Sequence, residues 1–356
     1  MSKRKIMSDS PKFTIVLVGY QSEPYLPAAL ESISKQTLAD FEAICFVEES
    51  TDKSLEVCQA MVDCDSRFRV VTGPKSGAAS TARNYGIDHA RGEYLVFIDG
   101  DDWVSTEMLE KLDKKLQATG PIDVLAFNAL STEKNYVNWE QEKKITNFRK
   151  KDAEGVFSGF DAIRRIGSYG GSINNYTWLN AYRVAFLREQ GLYQKPGLLM
   201  EDMEYMPRIC FSAKTFAFLD EALYVYHRRP NSMMTQNSPR LVGDMAHQVL
   251  SLISFVKNHQ VPEDIQKIWS NQWLSVFLWL MFHPVSSNKI PDVERKQALN
   301  IILENDGREG FKRMFARSSM PKRLSLPLVL LAAKGIQFPA KMYFRQLYYP
   351  LVERRG

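Results

Sequence analysis

The chain has 356 residues, of which 45% are hydrophobic and 24% are charged, a composition ordinary for a soluble globular protein and a length suited to two lobes. Its net charge of +5 is uneven, because residues 308–356 contain eleven Lys or Arg against two Glu, a net of +9, which leaves −4 for residues 1–307. Such a basic tail suggests an acidic surface as partner, and since no apolar run reaches the roughly 20 residues that a bilayer-spanning helix needs, we do not expect an integral membrane protein.

Strand and helix patterns alternate along the first part of the chain. Continuous apolar runs predict buried strands, which lie at residues 13–18, 41–47, 68–71, 94–98 and 123–128. The segments between them have helical spacing. We expect Ser22 to cap the first helix, with Pro24 in its first turn, and Ser105 to cap a helix at 106–116. This alternation predicts an α/β fold with a mostly parallel sheet flanked by helices.

The alternation stops near residue 131. Residues 131–160 are polar and irregular, residues 161–230 mix helix with short strands, and the pattern from about residue 242 onward is helical. The first ten residues, MSKRKIMSDS, lack the apolar core of a secretory signal peptide, and we expect residues 1–12 to be disordered. The four cysteines contain no CxxC pair, which indicates buried thiols in a reducing cytoplasm rather than disulfides or zinc ligands.

An acidic cluster, Asp99-Gly100-Asp101-Asp102, follows directly after the predicted strand 94–98. In parallel sheets ligands gather at the carboxyl ends of the strands, where this cluster lies. Neighbouring carboxylates repel one another, and a bound Mg²⁺ or Mn²⁺ would remove that cost while keeping coordination sites for phosphate oxygens. Gly100 would let the turn approach a ligand closely. The alternative is a solvated turn with Asp102 as a helix N-cap, but the position after a strand of an α/β lobe favours the metal site.

Three other kinds of site fit the sequence less well. A phosphatase of the haloacid dehalogenase type places its nucleophilic aspartate after the first strand, where this chain has Val18-Gly19-Tyr20. A dinucleotide-binding domain requires GxGxxG at that point, and the sequence is VGYQSEP. The glycines at 73 and 77 do not form a P-loop, because no GK[ST] follows them.

Several long segments have the order and spacing of the motifs of a known family. They include TIVLVGYQSEPYL and SGAASTARNYGIDHARGEYLVFIDGDDW, then TWLNAYRVAFLREQGLY, LMEDMEYMPRI and ALYVYHRRPNSMM, which ends at residue 234. With these segments the chain resembles the inverting family 2 glycosyltransferases of bacterial cell-surface polysaccharide synthesis, which have the GT-A fold. The resemblance implies a GT-A domain over residues 13–235, with a donor half at 13–128 and an acceptor half at 129–235. A helical region with the basic tail, 236–356, would follow.

The resemblance implies a binding site for the nucleotide part of a sugar donor. Tyr20 would stack on the base, and Glu48 would replace the aspartate that reads the base. The sequence Glu48-Glu49 departs here from the family's usual Asp-Asp-Gly. Arg83 and Asn84 match the family's ARN segment, in which Arg83 could reach the diphosphate or support the acidic loop.

The resemblance also assigns the acidic cluster and a basic segment further along the chain. Asp99 and Asp101 match the family's metal and ribose motif, and Asp102 belongs to the same cluster. His227 and Arg229 lie where the family closes over the diphosphate. We expect either of them to contact it, and His227 is a further candidate metal ligand.

Two acidic residues match the family's catalytic motif. In the pair Glu201-Asp202 the resemblance makes Asp202 the general base, which takes the proton of the acceptor hydroxyl as that hydroxyl attacks. The alternative is an ordinary acidic pair at a helix N-terminus. Glu201 is placed with the acceptor, and Trp178 could stack on an acceptor sugar ring, with core packing as the alternative.

These assignments together predict a hexosyl- or N-acetylhexosaminyltransferase. It would use a nucleotide-sugar, a UDP-sugar above all, and a glycan or lipid-linked acceptor, with no nucleic-acid partner. We expect it in the cytoplasm, with the 308–356 tail on the anionic inner face of the membrane, unless that tail packs on the catalytic lobe with its charges solvated. The alternative function is a non-catalytic glycan- or nucleotide-binding protein, favoured by Glu48-Glu49 and opposed by the intact acidic motifs.

Overall fold

The computed structural model describes residues 10–134, 143–145, 154–167, 176–229, 239–283, 290–304 and 307–344. The chain divides into two compact units. The first consists of Met1–Ile166, Asn174–Gly197 and Tyr205–Arg229, and the second of Gly167–Ile173, Leu198–Glu204 and Pro230–Gly356. The expected domain boundary at residue 235 and most of the expected disordered terminus, residues 1–9, lie outside the described residues.

Within the described ranges, one sheet of ten strands organises the first unit. Its strands are β1 (Phe13–Gly19), β2 (Phe41–Glu48), β3 (Phe68–Gly73), β4 (Tyr94–Asp99), β5 (Trp103–Val104), β6 (Val124–Thr132), β7 (Lys143–Ile145), β8 (Val156–Phe157), β9 (Asn180–Arg183) and β10 (Phe216–His227). The five apolar runs correspond to β1, β2, β3, β4 and β6, because a strand that is covered on both faces is apolar along its length. Every residue of β2 is buried.

The strand order is β3-β2-β1-β4-β9-β6-β10-β5, with β7 beside β6 and β8 beside β10. Strand β1 pairs in parallel with β2 and β4, and β6 pairs in parallel with β10. The short β9 is antiparallel to both β4 and β6. The α/β prediction is confirmed, but the sheet is more mixed than expected, since the four residues of β9 contain no apolar run that would reveal a strand.

Helices cover this sheet. They are α1 (Leu26–Ser34), α2 (Ser54–Cys64), α3 (Ser80–His89), α4 (Met108–Thr119), α5 (Gly159–Gly167), α6 (Val184–Glu189) and α7 (Asp202–Ser212). A continuous apolar core joins α1, α2 and α4 to the strands, with Phe13, Leu30 and Leu112 among its fully buried members. The core stabilises the unit by removing apolar surface from water.

The predicted cap of α1 is wrong. The helix begins at Leu26, and Pro27 rather than Pro24 lies in its first turn. The hydroxyl of Ser22 bonds to the main chain of Tyr20, accepting from its N–H at 3.3 Å and donating to its carbonyl at 3.0 Å. Ser22 therefore stabilises the turn after β1 and does not cap the helix. This turn contains Tyr20, a predicted ligand-binding residue.

Two further sequence predictions need correction. Helix α4 begins at Met108 rather than at residue 106, although Ser105 Oγ still accepts a hydrogen bond from the Glu107 N–H at 3.3 Å. The thiol of Cys64 is exposed at the end of α2, whereas the other three thiols are buried as expected, at Cys45, Cys58 and Cys210.

The second unit is helical, as the sequence predicts. Its helices are α8 (Pro239–Asn258), α9 (Glu263–Phe282), α10 (Asp292–Leu303), α11 (Gly307–Arg317), α12 (Met320–Ala333) and α13 (Phe338–Tyr343). Trp273 is fully buried in α9, and the rings of Phe277 and Phe311 pack edge to face with centroids 6.0 Å apart. In the described parts of both units, no helix combines the length and the hydropathy that crossing a membrane requires.

Candidate active site

The acidic cluster forms a loop between β4 and β5, at the carboxyl end of β1. The Gly100 N–H donates to the Val18 carbonyl at 2.8 Å. A Cβ on Gly100 would lie 2.9 Å from that oxygen, so this close approach requires glycine. Because β1 lies between β2 and β4, this is the point in the sheet where the strand order reverses, and sheets of this kind bind their ligands at that point.

Asp102 is a structural member of this loop. Its side chain is 1% exposed, Oδ2 accepts from the Tyr224 hydroxyl at 2.6 Å, and Oδ1 accepts from the His227 N–H at 2.8 Å. Burial raises the pKa of Asp102 well above its usual range, and the nearby charges of Asp101 and Asp99 raise it further. With both oxygens used inside the fold, Asp102 ties β10 to the acidic loop and is poorly placed to bind a metal.

Asp99 and Asp101, in contrast, remain partly open to solvent, and each pairs with an arginine. Arg83, which is 3% exposed on α3, donates to Asp99 Oδ1 at 2.8 Å. Arg229, just beyond β10, donates through Nε to Asp101 Oδ2. Burial raises the pKa of Asp101, an effect that Arg229 opposes and that the charge of Asp99 reinforces. Two carboxylates of the loop and the guanidinium groups of Arg83 and Arg229 therefore lie together at one edge of the sheet.

His227, the last residue of β10, lies beside this loop. Its ring contacts those of Tyr25 and Trp103, both with centroids 5.4 Å away, and the residue is 6% exposed. Within the described part of the chain, its buried Nδ1 has no hydrogen-bond partner. Buried polar side-chain atoms in folded proteins rarely lack a hydrogen-bond partner. We therefore infer that Nδ1 of His227 is available to bind a ligand.

The predicted base-binding residues also lie in this unit. Tyr20 follows β1, and Lys75 Nζ lies 4.9 Å from the centre of its ring. Glu48, at the end of β2, is 4% exposed and accepts hydrogen bonds from both the N–H and the hydroxyl of Ser76. The carboxylate of Glu48 thus holds the loop after β3, a contact that the sequence does not predict.

Asn84 and Trp178 make contacts inside the fold. The amide of Asn84 exchanges two hydrogen bonds of 2.8 Å with the main chain of Gln194. Trp178 is 4% exposed and stacks between Tyr176, at 4.7 Å, and Tyr224, at 4.4 Å. The core-packing alternative therefore describes Trp178, and the exposed end of the stack is Tyr176, which is 37% exposed and was missed from the sequence.

Glu201 and Asp202 belong to the second unit, where Asp202 is the first residue of α7. Glu201 is buried and Asp202 is half-buried. Met200, directly before them, has a left-handed backbone with φ of 57°, and Gln21, directly after Tyr20, has φ of 46°. Residues other than glycine seldom adopt this conformation, and strained residues of this kind cluster at functional sites.

The described residues contain no group of three His, Cys, Asp or Glu side chains able to hold a metal ion. The expected trio of Asp99, Asp101 and Asp102 is therefore not brought together as a metal cluster. Two carboxylates, Asp99 and Asp101, have the exposure that a ligand needs. Tyr224 was missed as a member of this site because nothing in its local sequence shows that its hydroxyl reaches a loop 122 residues earlier.

Known proteins resemble this chain in sequence and in fold. The family model described as "Glycosyl transferase family 2" matches residues 14–171. EpsJ of Bacillus subtilis (strain 168), described as an uncharacterized glycosyltransferase, is 29% identical over 227 residues, which cover 63% of this chain and 63% of EpsJ. The chain thus matches a little less than two thirds of that relative's length.

Two solved structures share the fold. TarS 1–349 of S. aureus in complex with UDP-GlcNAc has a TM-score of 0.70 at 20% identity, covering 94% of this chain and 92% of that one. The mannosyltransferase PcManGT of Pyrobaculum calidifontis, in complex with GDP-Man and Mn²⁺, has a TM-score of 0.51 at 14% identity, covering 97% and 84%. The fold is therefore GT-A, and the segment at residues 14–171, somewhat less than half of the chain, is similar to glycosyl transferase family 2.

Proposed function

We propose that this protein is an inverting glycosyltransferase that moves a sugar from a nucleotide diphosphate to a glycan or lipid-linked acceptor in surface polysaccharide synthesis. One observation carries the proposal. The partly open carboxylates of Asp99 and Asp101, each paired with an arginine, lie at the carboxyl end of β4 beside the end of β1. That edge is where α/β sheets bind nucleotides.

The two arginines are suited to the donor's diphosphate. Each now donates to a carboxylate, and each has the planar guanidinium that binds phosphate oxygens through paired hydrogen bonds. We propose that Arg229 turns from Asp101 to the diphosphate when the donor enters, while the more deeply buried Arg83 keeps Asp99 in place. His227 would donate a hydrogen bond to the same group.

A divalent cation, Mg²⁺ or Mn²⁺, fits the side chains at this loop and would neutralise charge that develops on the departing diphosphate. Mg²⁺ is usually held by one or two carboxylates together with substrate phosphates rather than by a complete protein cage. Asp99 and Asp101 match that requirement, with the buried Nδ1 of His227 as a further nitrogen ligand. Asp102, held by Tyr224, orients the loop without binding the cation.

We assign Tyr20 to the base, on which its ring would stack, and Glu48 to positioning the neighbouring Ser76 loop. The donor we propose is a UDP-sugar. TarS, whose fold this chain shares, was crystallised with UDP-GlcNAc, which supports the choice. The sugar itself would be a hexose or an N-acetylhexosamine.

We assign Asp202 as the general base. The acceptor hydroxyl would give its proton to the Asp202 carboxylate while its oxygen bonds to the anomeric carbon, and the bond from that carbon to the diphosphate oxygen would break on the opposite face. This order inverts the anomeric configuration and leaves the electron pair on the diphosphate. Glu201 would accept hydrogen bonds from the acceptor.

The test is a screen of nucleotide-sugars for release of the nucleoside diphosphate, with Mn²⁺, Mg²⁺ or a chelator present. We expect slow hydrolysis of one UDP-sugar that depends on the cation, and thermal stabilisation by UDP, since a ligand that binds the folded state raises its stability. A chain that binds nucleotide but releases no diphosphate with any acceptor mixture would be a binding protein instead. Recovery of the protein with inner membranes would support the proposed place at the membrane face.

A further inference from the structure

A groove of 560 Å³ lies in the second unit among α8, α9 and α11. Its floor is apolar, with Leu252 from α8, Trp269 from α9 and Met314 from α11 among the residues that line it. These three side chains are at most 6% exposed, so the groove is cut into the packed core of the helices. The volume lies in the range of ordinary small-molecule sites.

The rim of the groove is basic. Lys257, Arg308, Arg313 and Arg317 line it. The lining residues include one carboxylate, Glu309, which pairs with Lys312 at 2.7 Å. Arg313 and Arg317 are one turn apart on α11, a spacing at which like charges destabilise a helix. An anion at the rim would remove that repulsion.

Helix α11 approaches α8 closely at the groove. A Cβ on Gly310, which also lines the groove, would lie 2.1 Å from Ile253 Cγ2, so only glycine permits this distance. Glycine within a helix costs about 1 kcal/mol relative to alanine. Because α11 packs closely on α8, the basic rim on α11 lies next to the apolar floor that α8 contributes.

We propose that this groove binds a phosphate-bearing lipid, with the phosphate on the arginines and the first part of the hydrocarbon chain on the apolar floor. Charge complementarity favours an anion, since the three arginines Arg308, Arg313 and Arg317 lie beside one carboxylate that is already paired. The groove favours an amphiphile, because Ile253 and Val256, which also line it, are partly exposed and a free phosphate or a sugar would leave their apolar surface uncovered. The proposal does not depend on the donor chemistry, and it assigns lipid binding to one groove rather than to the whole basic tail.

The test is co-sedimentation of the full chain with phosphatidylcholine vesicles, with and without phosphatidylglycerol. We expect binding to the anionic vesicles only. Replacing Arg313 and Arg317 by Gln should weaken that binding roughly 30-fold, from the contribution of each basic residue near an anionic surface. The matched control, Lys296→Gln with Lys334→Gln, removes the same charge from exposed residues that do not line the groove and should change binding by no more than about threefold.

Three results would overturn the proposal. Equal losses in the two double variants would mean that overall charge, not the groove, attracts the vesicles. Unchanged binding in Val256→Trp, which fills the groove at constant charge, would place the lipid elsewhere. If soluble glycerol phosphate inhibited vesicle binding as strongly as soluble phosphatidylglycerol does at the same phosphate concentration, the groove would be a phosphate site that does not recognise a lipid. A thermal melt of each variant confirms that it is folded.

Discussion

Tyr224 donates its hydroxyl to Asp102 at 2.6 Å and accepts the Asp99 N–H at 3.1 Å through the same oxygen. Both side chains are buried, Tyr224 completely and Asp102 with 1% exposed. One phenol thus links the first and last aspartates of the loop to β10. A tyrosine on another strand therefore helps to fix the shape of the acidic loop.

Replacing Tyr224 by Phe should destabilise the protein by about 1–3 kcal/mol, because a buried carboxylate oxygen loses its donor. The loop should also become less ordered, so that donor binding weakens. Urea denaturation and a UDP-binding titration measure the two effects. Tyr193→Phe is the matched control, since its hydroxyl donates to Asp88 in an exposed hydrogen bond of 2.6 Å. Equal small losses in both variants would contradict a positioning role for Tyr224.

Asp202→Asn should abolish sugar transfer, by about a thousandfold or more in kcat, because no carboxylate remains to take the acceptor proton. Binding of UDP and of the cation should persist within about twofold of the native protein. Transfer assays with labelled donor and calorimetric titration of UDP measure the two properties. Loss of UDP binding in Asp202→Asn would assign this residue to the donor instead.

Tyr176 is the exposed end of an aromatic stack that passes through Trp178 to Tyr224. We expect Tyr176→Ala to raise the KM for the acceptor about tenfold, because a sugar face loses its aromatic partner. Hydrolysis of the donor in water should stay unchanged, and Tyr176→Phe should restore the KM. A parallel fall in hydrolysis and transfer would mean that Tyr176 supports the fold rather than the acceptor.

Lys322 gives the second unit a pH dependence. The side chain is 6% exposed, and burial lowers its pKa from 10.5 to about 8. Below pH 8 both the folded and the unfolded state carry the proton. Between pH 8 and 10.5 the unfolded state binds more protons, so stability rises with pH through this window.

Lys322→Met should therefore be more stable than the native protein at pH 7, by up to about 3 kcal/mol, and should lose the rise above pH 8. Lys334→Met, which removes an exposed cation near the end of the same helix, should leave both properties unchanged. Melting temperatures at pH 7 and pH 9.5 decide the question. A less stable Lys322→Met at pH 7 would show that the hydrogen bond from Lys322 to the Asn271 carbonyl outweighs the burial of charge.

The apolar strands and the acidic motif could be read from the sequence because their signals are local. Residues 94–98 form an unbroken apolar run, and Asp99 and Asp101 follow it directly. The role of Asp102 could not be predicted, since its partner Tyr224 is 122 residues away in the chain, whereas core packing was one of the two roles expected of Trp178. Strand β9 could not be predicted because the four residues Asn180–Arg183 show neither an apolar run nor an alternation of apolar and polar side chains. The strand joins the sheet through the hydrogen bonds of its backbone. The predicted helix cap at Ser22 is wrong because a serine hydroxyl can bond to backbone groups of a turn as readily as to those of a helix end.

We propose above all that Asp99 and Asp101 hold the diphosphate end of the donor together with a cation. Calorimetric titration of UDP with and without Mn²⁺, on the native chain and on Asp101→Asn, tests it most directly. We predict that Mn²⁺ tightens UDP binding at least tenfold in the native chain and has little effect in Asp101→Asn. UDP binding that is equally tight in both proteins, with and without Mn²⁺, would contradict the claim.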